Sequence, residues 1–153
     1  MYKAERIADF IICLAQENGD LITNLKLQKL LYYAQAWFLV NNNNQKLFDD
    51  DIVAWQYGPV VKSVYERYQY FGRSPIIIDC NISTDFEDLS IAVKDYLREF
   101  CENFLKFSAT ELVGMTHQEL PWNEAVKKGQ GSVISTDTMF TYYTRMLQDD
   151  TEV

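Results

Sequence analysis

The sequence predicts a mainly α, single compact helical domain over residues 1–153, of about six helices, with a minor short β element near 52–55 and room for another at 76–78. Three observations carry this. A chain of 153 residues, 48% hydrophobic and 24% charged, fits one domain, large enough to bury about 70% of the surface its unfolded form exposes. Most segments between breakers repeat apolar residues at spacings of three and four. Ten tyrosines, nine phenylalanines and three tryptophans supply bulky core material, so neither a metal nor a disulfide is needed, and disorder is excluded.

Residues 4–16 read as a helix: Ile7, Ala8, Ile11, Leu14 and Ala15 share a side, with Arg6 and Cys13 opposite. Gly19 and Asp20 break it, and Thr23 or Asn24 can cap the next helix. There Leu27, Leu30, Leu31, Ala34 and Phe38 form one stripe and Leu25, Tyr32, Ala36 and Leu39 a second, interrupted by Gln28, Lys29 and Gln35. A helix apolar nearly all round is central in the core, or half core and half binding surface. The two stripes also leave self-association open. Asn41 to Asn44 read as a loop, and residues 52–55 as a short β stretch. Gly58-Pro59 reads as a helix entry, since proline suits a first turn. Val60, Val61, Val64, Tyr65, Tyr68 and Phe71 then share a face, ended by Gly72 and Pro75.

The longest helix is expected from Asp85 or Asp88 to Phe107, with Leu89, Val93, Tyr96, Leu97, Phe100 and Phe104 inside. Ser108 and Glu111 have capping-box spacing and should start a short helix. A further helical segment begins at Pro121-Trp122, Gly129 and Gly131 flank a turn, and Asp137 can cap a last helix that buries Met139, Phe140, Tyr143, Met146 and Leu147.

The net charge of −8 is uneven: residues 1–76 carry 8 basic and 8 acidic side chains, residues 77–153 carry 6 and 14. A protein that neutralises phosphates needs a basic face, so direct nucleic-acid binding is not expected. The N-terminus is interrupted by Arg6 and Asp9 and lacks a small-residue cleavage site, unlike a signal peptide. No apolar run reaches the ~18 residues of a membrane span. The expectation is a cytoplasmic protein whose three cysteines, Cys13, Cys80 and Cys101, are reduced.

The same residues offer little catalytic chemistry. The one histidine, His117, reads as a structural hydrogen-bonding residue near a buried Trp122, and the cysteines as inert thiols without a base or oxyanion donor. No CxxC or HxxxH pair offers zinc ligands. Asp49, Asp50 and Asp51 lack the glycine and distal glutamate of a calcium loop, and Gly129-Gln130-Gly131 is a plain turn rather than a phosphate cradle. No cofactor is expected, and the chain reads as a non-enzyme.

Leu25-Lys26-Leu27-Gln28-Lys29-Leu30-Leu31-Tyr32-Tyr33-Ala34-Gln35-Ala36-Trp37 resembles the signature helix of the Panacea, or SocA-like, family, also met as phage-associated GepA-type proteins. A second block, Leu47-Phe48, Ile52, Ala54 to Val61 and Val64-Tyr65, is similar as well. So is a third, Thr116-His117, Glu119, Pro121-Trp122, Ala125, Ile134 and Tyr142-Tyr143. The resemblance implies an α-rich antitoxin of a toxin–antitoxin system that neutralises a cognate toxin by direct protein binding. An alternative is a proteolytic adaptor that delivers the toxin to the ClpXP protease. An alternative of another class is an enzyme that reverses toxin damage. Some members carry an added DNA-binding domain, and none is expected here. As partner contacts we take Gln28, Lys29, Tyr57 and Tyr65, read as exposed tyrosine and cationic positions, with Asp95, Glu99 and Glu102 as a rival surface suited to a basic toxin.

Overall fold

The chain wraps around its second helix. The structure, a computed structural model, describes residues 1–151. Helices α1 (Ala4–Glu17) and α2 (Asn24–Asn41) precede a hairpin of β1 (Val53–Trp55) and β2 (Gly58–Val60). Then come α3 (Lys62–Arg67) with a 3₁₀ turn at Gln69–Phe71, α4 (Ile91–Phe104), α5 (Ala109–His117), α6 (Leu120–Lys128) and α7 (Thr136–Thr151). α2 packs against α1, α3, α4, α5, α7 and β2. Both its apolar stripes are largely covered, with Phe38 half-buried and Leu25 exposed at the first turn.

The polar interruptions of α2 are buried too, and each holds backbone beyond the helix. Gln35 accepts from the amides of Leu47 and Phe48 and donates to the Phe48 carbonyl. Gln28 accepts from the Val61 amide at 2.9 Å, and Lys29 donates to the Pro59 carbonyl at 3.3 Å. Buried backbone groups must find partners, and residues 47–61 find several of theirs in α2 side chains rather than in a sheet. The expectation that the Gln28–Lys29 edge is exposed is thereby corrected.

Gly58-Pro59 is not a helix entry. Val53 pairs with Val60, Ala54 with Pro59 and Trp55 with Gly58 in an antiparallel hairpin, and α3 begins only at Lys62. Ala54 donates to the Ser132 carbonyl and accepts from the Gly131 amide, so both its backbone groups turn away from Pro59. The N–H that proline lacks is therefore not needed in the ladder. Residues 131–134 run along the outer side of β1. The segment 76–78 forms no strand; Ile76 donates to the Ile22 carbonyl, and Gln16 bonds both backbone groups of Ile78.

α4 starts at Ile91, capped by Ser90, later than the apolar pattern suggests, and at 14 residues it is shorter than the 18 of α2. The reason lies in α1: Arg6 grips the Asp88 carboxylate and the Asp85 carbonyl and keeps that stretch out of helix. α7 is capped by Ser135, whose hydroxyl accepts from the Thr138 amide, while Asp137 accepts from Asn44. Of its apolar residues Met139 and Tyr143 are buried, and Leu147 is exposed.

Cys13 and Cys80 form a disulfide, which corrects the expectation of three reduced thiols. Cys13 lies on a side of α1 that is buried rather than solvated, under the 76–90 segment. Cys101 is a free, buried thiol, and burial pushes its pKa up to about 12. No helix among the described residues is long and apolar enough to cross a membrane.

Candidate functional site

A cleft of about 770 Å³ opens between the first turns of α2, the hairpin and α3, with Arg73 and Gln130 at its edge. Four of the seven residues singled out in the sequence, Gln28, Lys29, Tyr57 and Tyr65, line it. They come from positions far apart because β2 lies along α2 and α3 follows at once. Thr23 caps α2 by accepting from the Lys26 amide and fixes the entry to the cleft.

The wall is aromatic. Trp55 at the end of β1 meets Tyr65 of α3 edge to face, with ring centroids 5.0 Å apart. The Trp55 carbonyl accepts from the Trp122 indole at 2.9 Å, and Trp122 is stacked on His117 at 4.0 Å. His117 is thus held flat against Trp122, and its buried Nε2 makes no hydrogen bond among the described residues. Burial holds its pKa below the usual imidazole value. Tyr57, at the hairpin turn, is 62% exposed.

The floor is polar. Asn24 donates to the Tyr65 carbonyl and accepts from Gln28, which accepts from the Val61 amide, so an amide relay ties α3 and the hairpin to α2. Asn24 and Gln28 are thus committed to the fold. Lys29 is not. Its side chain has 0% exposure, its ammonium has three protons to donate, and among the described residues it has one acceptor, the Pro59 carbonyl at 3.3 Å. Burial lowers its pKa from 10.5 to about 7. Gly58 makes room for it: a Cβ at that position would stand 2.6 Å from Lys29 Cε, at a backbone φ of +111°.

Asp95, Glu99 and Glu102 lie elsewhere, exposed on the outer face of α4. Glu102 borders a separate depression with Arg98 and Lys106, and Glu99 another with Trp37 and Leu147. Sequence reasoning passed over Arg73, which no local pattern marks, and read Gln130 only as part of a turn and Asn24 only as a cap. A second buried polar cluster joins Glu119 to the hydroxyls of Tyr33 and Tyr143, with Tyr32 donating to or accepting from Tyr143 at 2.9 Å. Burial raises the Glu119 pKa, and the cluster is packed between α2 and α7 without lining the cleft. Among the described residues no group of three His, Cys, Asp or Glu side chains is gathered as for a metal ion.

Residues 27–123 match the family model described as antitoxin SocA-like, Panacea domain. The chain is also 30% identical over 138 residues to Antitoxin SocA of Caulobacter vibrioides (strain NA1000 / CB15N), covering 84% of this chain and 72% of that protein. No solved structure matches it. The matched stretch runs from Leu27, at the end of the first turn of α2, through the hairpin to Asn123 and holds most of the residues that line the cleft, and the chain belongs to the SocA-like, Panacea-domain antitoxin family.

Proposed function

We propose that this protein is an antitoxin that neutralises a cognate toxin by direct, stoichiometric binding in the cytoplasm, and that the toxin seats against the cleft between α2, the hairpin and α3. The observation that carries this is the convergence of Gln28, Lys29, Tyr57 and Tyr65 on one open, aromatic-walled cleft in a chain of an antitoxin family. Clefts lined by tyrosine and tryptophan with few fixed polar groups are what protein partners anchor in. The residues suited to catalysis are dispersed: Cys101 is buried with a raised pKa, Cys13 is in a disulfide, and His117 is stacked against Trp122.

The test is co-expression with the product of the neighbouring gene, reading growth rescue and the mass of the purified complex. A complex of fixed ratio, with rescue that demands at least equimolar antitoxin, is the expected result. Tyr57→Ala, on an exposed turn, should weaken that complex while leaving the melting temperature unchanged. Rescue by trace amounts with no isolable complex would replace binding with catalytic reversal of toxin damage. Delivery to ClpXP would build on the same complex and would be read as a toxin half-life shortened only when antitoxin and protease are both present.

A further inference from the structure

The cleft differs in charge from the rest of the molecule. The chain carries 22 acidic residues against 14 basic ones, yet among the described residues no aspartate or glutamate lines the cleft, while Lys29 and Arg73 do. Neither cation has an ion-pair partner among the described residues; the ion pairs present use Arg6 and Arg67. Arg73 stands exposed at the rim, just after Gly72 ends the 3₁₀ turn.

Lys29 is the less ordinary of the two. An ammonium taken fully out of water is normally paired with a carboxylate or surrounded by acceptors. Here, among the described residues, the one hydrogen-bond partner is a carbonyl at 3.3 Å, for an ammonium that can donate three times. Its position is nonetheless built rather than accidental: Gly58 leaves out the side chain that would collide with it, and Pro59 presents the carbonyl that steadies it. The walls beside it are Trp55, Tyr65 and Val60, apolar surfaces that would exclude water from an ion pair formed there.

We propose that the cleft seats an acidic segment of the toxin, one aspartate or glutamate carboxylate of which is taken up by the Lys29 ammonium while Arg73 meets a second negative group at the rim. This rests on the binding reading above and assigns the partner's chemistry: an acidic segment bearing apolar side chains for the Trp55 and Tyr65 wall. It selects the cleft over the acidic face of α4, which would call for a basic toxin. An acidic segment is also turned away by most of the remaining surface of so negative a protein, so the charge that attracts it locally rejects it elsewhere.

The test uses the full chain with the co-expressed neighbouring gene product as probe. Lys29→Met keeps the unbranched side chain out to Cε and removes the ammonium. It should leave the melting temperature unchanged or raise it, since an underpaired buried charge is lost, and should weaken the complex at least tenfold. Arg73→Glu, at an exposed position, should weaken it about tenfold and flatten its dependence on salt. Treating the wild-type complex with a water-soluble carbodiimide should join Lys29 Nζ to a partner aspartate or glutamate. An amide forms, the elements of water pass to the reagent as a urea, and the pair is identified by peptide mass. Full affinity in both Lys29→Met and Arg73→Glu would overturn the assignment, as would loss of the complex on Asp95→Lys, Glu99→Lys and Glu102→Lys together with no Lys29 cross-link. Failure of the wild-type chain itself to form a complex would instead remove the binding reading on which this rests.

Discussion

At position 58 any side chain would have to share space with Lys29. Gly58→Ala should destabilise the fold by about 2–4 kcal/mol in urea titration, combining a strained positive φ with a clash against an anchored side chain. Adding Lys29→Ala should recover the steric part and leave the backbone part. Lys29 itself predicts a pH dependence. Its pKa falls from 10.5 to about 7 on folding, so between those values the folded chain holds fewer protons than the unfolded one, and this group's contribution to stability rises with pH. His117 of α5 is the titratable neighbour that senses it, and its own pKa is lowered, so it titrates below this window. Lys29→Met should therefore be more stable than wild type at pH 7, and the gap should narrow toward pH 10, by at most about 1.4 kcal/mol per pH unit.

Among the elements, two helix starts show what local sequence can and cannot specify. Ser108 and Glu111 satisfy each other's backbone amides three residues apart, and the capping box is complete as the spacing predicts. Ser108→Ala should cost about 1 kcal/mol and loosen hydrogen exchange in the first turn of α5. α1 has no such local signal. Its cap, Lys3, makes no side-chain bond, and the Ala4 amide is met at 2.8 Å by Asp50, which also accepts from Ser63. Asp50→Ala should cost about 1–2 kcal/mol by thermal or urea unfolding, and a double-mutant cycle with Ser63→Ala should show coupling. The aspartate triplet 49–51 reads as a turn in sequence because the helix it serves lies 46 residues away.

For the whole molecule, the Cys13–Cys80 disulfide closes a loop of 67 residues and ties the 76–90 segment to α1. Loop-closure entropy sets its contribution at up to about 4 kcal/mol. Dithiothreitol should lower the urea midpoint of the wild type and leave that of Cys80→Ala where it is. Arg6, Gln16 and Ile22 hold the same segment independently, so the reduced protein should remain folded. The sequence by itself determined the helical class, the helix at residues 4–16, the capping box at Ser108, the chain reversals at Gly72, Gly129 and Gly131, and the blocks that mark the family. All of these rest on residues within a few positions of one another, where spacing and backbone preference suffice. Tertiary structure alone decided that Gln28, Lys29 and Gln35 are buried, that Gly58-Pro59 is a strand, that Cys13 meets Cys80, and that two cations share an acid-free cleft. Gln35 finds its partners 12 and 13 residues away, Lys29 30, Gln28 33 and Cys13 67, and an α-helical period records which face is apolar without recording which backbone a buried polar group will hold.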